Sequence, residues 1–482
     1  MNIINQQLGI ILPEIVFLGA TIITLLIGLF IRQKNISLVY TFAQLTLIIS
    51  AIFVWQLFSV DESTILSGHY RHDGITSILQ LVILIMGMFI FAYSREYIKT
   101  YTGAVLEYYV LALLSIFGML VLVSAYSLLT LYLGLELLSL PLYALVALKR
   151  ENVQAVEAGL KYFIMGSIAS GMLLYGMTMI FGVTGHLEIN TIMQILASAQ
   201  YDSLLMTFGL VFICVGIIFK LGGVPFHMWV PDVYHGAPAS VTLLISTIPK
   251  VATFALALRL FAQVFADFQL QWQQILIVVS LLSMGLGNLV AIAQTNIKRM
   301  LAYSSIAHMG YMLLGLIAGT EAGYASAMFY MIAYALMSLG AFGLITMLSS
   351  VGVEAQAIED FKGLNQRNPW LALMMLLMMF SMAGIPPIVG FFAKVGVLEA
   401  LIKVDLVWLA VVALLFAIIG AYYYIRVVKV MYFDSADDTT PLVIAGFDNK
   451  LAISLNGLGI LLLGILPGTL FELCRHVILR MS

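Results

Sequence analysis

Glu136, Lys161, Lys220, Lys250 and Lys394 stand inside long apolar runs rather than in polar stretches. Glu136 lies midway through Leu131–Pro141 (LYLGLELLSLP), and Lys220 directly precedes the cluster Gly222, Gly223 and Pro225. Lys250 falls well inside the next run, and Lys394 follows the cluster Gly384, Pro386 and Pro387. An ionised side chain at mid-bilayer costs about 2.5–3.5 kcal/mol on insertion scales, so it keeps a partner or a wet cavity. Burial disfavours a protonated amine, and a carboxylate within about 4–6 Å favours it. A lysine whose carboxylate partner moves away can therefore take up and release a proton. One glutamate and several lysines on separate helices have the chemistry of a proton relay. His227 and His308 add imidazoles, which shuttle protons near neutral pH.

Each of these residues also has a plainer reading. Lys161 sits near a run end and can snorkel to the surface. Lys220 and Lys250 can belong to purely structural ion pairs. His227 and His308 can each hydrogen-bond a neighbouring helix. Glu14 and Glu107 lie near span ends and read as interfacial; Arg259 and Glu399 read as surface-facing. The remaining histidines (His69, His72, His186, His235 and His476) fall in loops or tails. Cys214 and Cys474 lie in apolar runs with no CxxC pair or Cys/His cluster, so no metal site, iron–sulfur cluster or haem is expected. Walker and dinucleotide fingerprints are absent. Energy for any transport must then come from an ion gradient or a partner subunit, and no cofactor is expected on this chain.

The elements that must carry these groups are membrane helices. Of 482 residues, 62% are hydrophobic and 10% charged, against about 25% charged in soluble domains. Strand-type alternation is missing, which argues against a barrel. The expected fold is all-α: one polytopic membrane domain, 1–482, with about 14 transmembrane helices of the length that spans a bilayer. They fall near 10–31, 38–58, 76–93, 106–123, 126–148, 158–182, 203–235, 238–262, 273–294, 300–318, 325–348, 370–402, 406–430 and 452–471. No cleavable signal is evident, since the first run contains Pro13 and Glu14 and has no basic lead-in. Odd-numbered loops hold twelve basic residues (Arg32, Lys34, Arg95, Lys99, Lys149, Arg150, Lys298, Arg299, Lys362, Arg367, Lys429, Lys450). Even-numbered loops and the tail hold four (Arg71, Lys403, Arg475, Arg480). The positive-inside rule puts odd loops in the cytoplasm and both termini outside.

The seventh and twelfth spans are too long for one straight helix, and each contains a glycine–proline break. Residues 219–225 (FKLGGVP) align with 380–386 (FSMAGIP), five spans apart. An odd separation gives the repeats opposite topology, so 106–262 and 273–430 read as two inverted five-helix repeats. Inverted repeats with broken helices place ion sites near the breaks. Breaks survive in lipid only where protein or water satisfies the freed backbone, so both are expected to point inward.

Three stretches carry a family resemblance. Phe219–Tyr234 (FKLGGVPFHMWVPDVY), Lys298–Gly310 (KRMLAYSSIAHMG) and Met382–Pro387 (MAGIPP) with Gly390, Phe391 and Lys394 resemble the signature runs of the antiporter-like subunits of respiratory complex I. The resemblance covers essentially the whole chain. Lys394, the Ala237–Pro238 turn and the chain's end soon after span 14 point to one particular member. It implies a translocase subunit moving protons through Glu136, Lys220, Lys250 and Lys394, with Lys161 near the cytoplasmic input and Glu136 paired with Lys220. It implies that NADH, FMN, iron–sulfur clusters and quinone bind in partner subunits. The implied neighbours are another antiporter-like subunit and small membrane subunits; the implied place is the bacterial inner membrane, with both termini periplasmic. Related cation/proton antiporter subunits, exchanging sodium or potassium for protons, share the pattern and stand as the alternative.

Overall fold

The computed structural model describes residues 7–31, 37–198, 203–349, 355–435 and 446–481. Arg32, Lys34 and the terminal residues Met1 and Ser482 lie outside the described residues. The first helices are α1 (Leu12–Phe30), α2 (Ser37–Leu57), α3 (Gly74–Tyr97), α4 (Val105–Ser124), α5 (Leu128–Val146), α6 (Val153–Thr184) and α7 (Ile189–Ala197). The middle of the chain forms α8 (Ser203–Leu221), α9 (Trp229–Gly236), α10 (Ala239–Ser246), α11 (Ile248–Arg259), α12 (Gln269–Ala293), α13 (Ile297–Ile317) and α14 (Glu321–Ser349). Then come α15 (Leu364–Arg367), α16 (Pro369–Ala383), α17 (Val389–Lys403), α18 (Val407–Tyr432), α19 (Phe447–Ile465) and α20 (Pro467–Leu479).

Among the described residues, 13 helices are long and apolar enough to cross a membrane. A further expected span is the broken pair α16–α17, whose halves have 15 residues each. The chain is a multi-pass membrane protein. Both overlong spans are broken as expected, into α8–α9 and α16–α17. The eighth is also broken, which the pattern did not reveal: α10 stops at Ser246, and Thr247 (φ −114, ψ −94) separates it from α11. Pro249 falls in the first turn of α11, where its missing N–H costs no helix bond. An antiparallel hairpin, β1 (Ser63–Ile65) and β2 (Tyr70–His72), caps the end of α1.

Burial sorts the helices into a centre and a rim. In the most apolar stretch of 239–264 every residue is buried, and 94% and 89% are in 297–317 and 321–349; only 28% are in α1. The first three form the centre. Small residues bring helices together where no hydrophobic force between them operates. At Gly118 on α4, a Cβ would lie 2.2 Å from the Leu138 backbone nitrogen on α5. Ser115 adds a hydrogen bond to the Leu138 carbonyl (2.9 Å). The two helices are locked at this level.

Two charges expected at the surface are inside. Arg259 is fully buried and meets Asp73 through both terminal nitrogens (3.0 and 3.1 Å). It also donates to Thr76 Oγ1 (2.7 Å) and the Val123 carbonyl (3.4 Å). Asp73 caps the N-terminus of α3 by accepting from the Thr76 backbone N–H. Burial disfavours its charge, yet the Arg259 guanidinium, the Thr76 N–H and Arg71 hold its pKa down at about 2. The reading from span position failed because Asp73 arrives from 186 residues away. Glu14 is 4% exposed, because the hairpin folds over it: Tyr70 Oη and Gln80 Nε2 donate to its carboxylate (2.8 and 2.7 Å). Glu107 and Glu399 are exposed, the latter paired with Lys403.

Removing one partner of a buried ion pair costs about 3–5 kcal/mol when the other is left charged and unpaired; Asp73 keeps Arg71 at 3.1 Å, so the larger loss is expected for Asp73→Asn, which strands Arg259. Asp73→Asn or Arg259→Ala is expected to lower the thermal transition of the detergent-extracted protein, and the double variant Asp73→Asn/Arg259→Met to recover part of it. Calorimetry checks this; a wild-type transition in either single variant contradicts the clamp.

Candidate functional site

The first break begins at Gly222, whose φ of +80° is the left-handed region that a Cβ disfavours. The second begins at Gly384, with φ +85°. Each contains a cis X–Pro bond, Val224–Pro225 and Pro386–Pro387. Gly222, Gly223 and Val224 are buried, but Pro225, Pro386 and Pro387 are exposed on this chain. The breaks therefore do not point inward as wholes. Their glycines and freed backbone groups face protein, and the prolines, which lack an N–H to satisfy, stand outside.

Lys220 ends α8, in its last turn, where the helix dipole favours a cation. Its Nζ donates to Ser139 Oγ (2.7 Å) and Tyr143 Oη (3.4 Å), both on α5. The expected partner Glu136 lies one turn away on α5, but no salt bridge within 4 Å joins the two. Glu136 Oε1 is buried without a hydrogen-bond partner. The arrangement is a buried lysine resting on hydroxyls beside a half-buried, unengaged carboxylate.

Lys250 begins α11 directly after the Thr247 break and is 1% exposed. Its amine donates to Ser305 Oγ on α13, which also accepts from Tyr334 Oη on α14 (2.8 Å). The Tyr234 and Tyr334 rings lie 5.9 and 5.4 Å from the amine. His308, one turn beyond Ser305, bonds Tyr330 Oη through Nδ1 (2.7 Å) and Tyr424 Oη through Nε2 (3.0 Å). Tyr424 in turn bonds Ser304. Lys394 reaches back from α17 to the Met382 and Ala383 carbonyls at the end of α16 (3.0 and 2.8 Å), with the Tyr311 ring 5.3 Å away. None of Lys220, Lys250 and Lys394 has a carboxylate within 4 Å among the described residues.

Lys161 is exposed. It pairs with Glu157 and Asp232, each at 2.9 Å, and Asp232 also pairs with Arg299 (3.0 Å). Glu157, Lys161, Asp232 and His235 line a cleft of about 170 Å³. Between cleft and Lys220 lies an aromatic stack: Tyr162 on Trp229 (4.8 Å), and Tyr143 edge-on to Tyr162 (4.7 Å). The Trp229 indole N–H bonds the Phe219 carbonyl (3.0 Å). His227 is half-buried with Nδ1 unpartnered, and no hydrogen bond joins it to the lysines among the described residues. Thus the structure joins Lys250 and His308 to one hydroxyl-rich centre, puts Lys220 and Lys394 at the two breaks, and leaves Lys161 at the surface. Sequence reasoning missed Ser139, Tyr143, Ser305, Tyr334 and Tyr424. With 23 tyrosines in the chain, hydroxyls in apolar runs carry no signal until helices pair. Asp232 was visible beside Trp229, but nothing marked it as a bridge.

The chain's relatives agree with this architecture. Residues 125–420 match a family described as NADH:quinone oxidoreductase/Mrp antiporter, TM. A protein of Coxiella burnetii named NADH-quinone oxidoreductase subunit N is 55% identical over 466 residues, covering 96% of each chain. A chain in the structure of respiratory complex I from Thermus thermophilus with bound aureothin superposes with a TM-score of 0.83 at 30% identity, covering 96% of this chain and 99% of that one. A chain of the Mrp complex from Dietzia sp. shares the fold alone, with a TM-score of 0.85 at 18% identity over 98% of this chain and 96% of that one.

At the second break, a Cβ on Gly390 would lie 1.9 Å from the Ser381 carbonyl oxygen, whereas on Gly396 it meets nothing nearer than 3.5 Å. Overpacking costs about 1–3 kcal/mol. Gly390→Ala is expected to speed amide exchange around 381–394 and lower thermal stability, and Gly396→Ala to leave both unchanged. Equal behaviour of the two variants contradicts this account of the break.

Proposed function

We propose the following role for this chain, which belongs to the NADH:quinone oxidoreductase/Mrp antiporter transmembrane family: it is a proton-translocating membrane subunit of an NADH–quinone oxidoreductase. The observation that carries the relay is the absence of fixed ion pairs. Lys220, Lys250 and Lys394 are buried, yet among the described residues each rests on hydroxyls or carbonyls rather than a carboxylate. A structural role would leave each amine saltbridged, as Arg259 is to Asp73. An amine held by neutral oxygens retains both protonation states as options.

In this reading protons enter at the cleft of Lys161 and Asp232 and pass the Tyr162–Trp229 stack to Lys220. They continue to Lys250 and along Ser305, Tyr334 and His308 to Lys394. Glu136 is the carboxylate that Lys220 can engage when it swings along α5. Hydroxyls both donate and accept, so they pass a proton without net displacement. Residues 106–262 and 273–430 act as inverted repeats around this row, and the matching φ at Gly222 and Gly384 supports the pairing. The chain contributes no redox centre; NADH, flavin, iron–sulfur clusters and quinone belong to partner subunits, which drive the relay. The membrane is a bacterial inner membrane, with the Lys161 side cytoplasmic and the termini periplasmic. His227 has no place in the row.

On a native gel of a mild-detergent extract, this chain and NADH oxidation are expected in one large band. Their separation in intact complexes favours a cation/proton antiporter subunit instead. In vesicles carrying the whole complex, Lys220→Ala, Lys250→Ala and Glu136→Gln are each expected to lower NADH-driven proton uptake about a hundredfold, the lower end of what one proton-transfer group contributes, with assembly unchanged. Wild-type uptake by Lys220→Ala refutes the relay.

A further inference from the structure

Lys220 is held by α5, and the way α5 is held says which part can move. The helix is locked to α4 at Leu137–Leu138 by the Gly118 approach and the Ser115 hydrogen bond. On its inner face three groups follow one another: Glu136, then Ser139 one turn on, then Tyr143 one turn further, an i, i+3, i+7 series on one side of a helix. Ser139 Oγ donates to the Leu135 carbonyl (2.6 Å), which leaves its lone pairs turned to the Lys220 amine (2.7 Å). The Tyr143 hydroxyl is seated by a gap in α6: a Cβ on Gly166 would fall 2.2 Å from it. Both hydroxyls are therefore fixed before the lysine arrives. Glu136 Oε1, on the same face, is buried and bonded to nothing.

We propose that Ser139 and Tyr143 form a holding berth for Lys220, a second docking position that keeps the amine off Glu136 until the α8–α9 break lets it move. This deepens the relay reading and rests on it. Two pre-placed acceptors compete with one carboxylate for a single amine. The carboxylate gives the stronger charge-assisted bond, so without the berth the lysine stays with Glu136 and stops handing its proton on. Ser139 and Tyr143 are positioning residues: they act through where they hold Lys220. The mobile partner is the lysine, since α5 is pinned and Lys220 lies in the last turn before the left-handed Gly222.

The test uses the whole complex in vesicles and measures NADH-driven proton uptake. Ser139→Ala is expected to slow uptake about tenfold, the effect of losing one hydrogen bond to a charged group. Ser139→Thr, which keeps the hydroxyl, is expected to restore it. Tyr143→Phe, which removes one oxygen and preserves the ring contacts, is expected to slow uptake severalfold, and Gly166→Ala, which crowds the hydroxyl, to resemble it. If Ser139→Ala fails to assemble, Tyr143→Phe and Gly166→Ala decide. Wild-type uptake in Ser139→Ala and Tyr143→Phe, alongside loss in Lys220→Ala, overturns the berth and leaves the relay standing. Wild-type uptake in Lys220→Ala overturns both. A Ser139→Thr variant as slow as Ser139→Ala also overturns the berth, because the position then acts by packing.

Discussion

In a hydrocarbon environment a polar group must find its partner within the protein, and the helix breaks and buried amines of this chain satisfy one another under that constraint. A break frees carbonyls; a lysine brings three donors and no acceptor. Lys394 takes the Met382 and Ala383 carbonyls, Lys298 takes that of Ala237, Arg259 shares that of Val123, and the Trp229 indole takes that of Phe219. Irregular backbone and buried charge, each costly alone, are paired at the second break and at the Ala237 turn, while hydroxyls of Tyr334 and Ser338 take the Ser246 carbonyl beside the Thr247 break.

The kind of oxygen then separates the charge held by a carboxylate from those held by neutral groups. Arg259 faces Asp73 with a planar fork on a planar carboxylate, and with its further bonds to Thr76 and Val123 it behaves as a rivet between α3, α4 and α11. Lys220, Lys250 and His308 instead meet hydroxyls of Ser139, Ser305, Tyr330 and Tyr424. A hydroxyl rotates and can donate or accept, so such a contact survives a change of protonation on either side. Carbonyls only accept. Lys394, resting on two of them, has neighbours that cannot donate back, so in the proposed row it is the member that leaves its seat to pass a proton on.

Much of this was legible in the amino-acid pattern, and the limit has a physical cause. Spans, breaks and buried amines are local properties: run length, Gly–Pro clusters and a lysine among leucines each announce themselves within a few residues. Partnerships are not. Asp73 and Arg259 are 186 residues apart, and Ser139 and Lys220 are 81. The Thr247 break escaped because its only marker, Pro249, sits where a helix start tolerates proline. The prolines of the other breaks were expected inside, yet a residue without an N–H is the one that the outer surface can hold at no hydrogen-bonding cost.

The two breaks also converge in a way their sequences conceal. Lys220 precedes its glycines, and Lys394 follows its prolines, so by position the lysines lie on opposite sides of their breaks. Lys220 sits in the last turn of α8; Lys394 reaches backwards to the last carbonyls of α16. Both amines thus end at the C-terminal end of a first half-helix, where the helix dipole concentrates negative potential. One lysine is built into that turn and needs hydroxyls from α5 to complete its shell. The other is borrowed from the next helix and completes its shell with the carbonyls themselves. The same electrostatic niche is therefore filled at one break by a lysine that leans on a neighbouring helix, and at the other by a lysine tied to its own break.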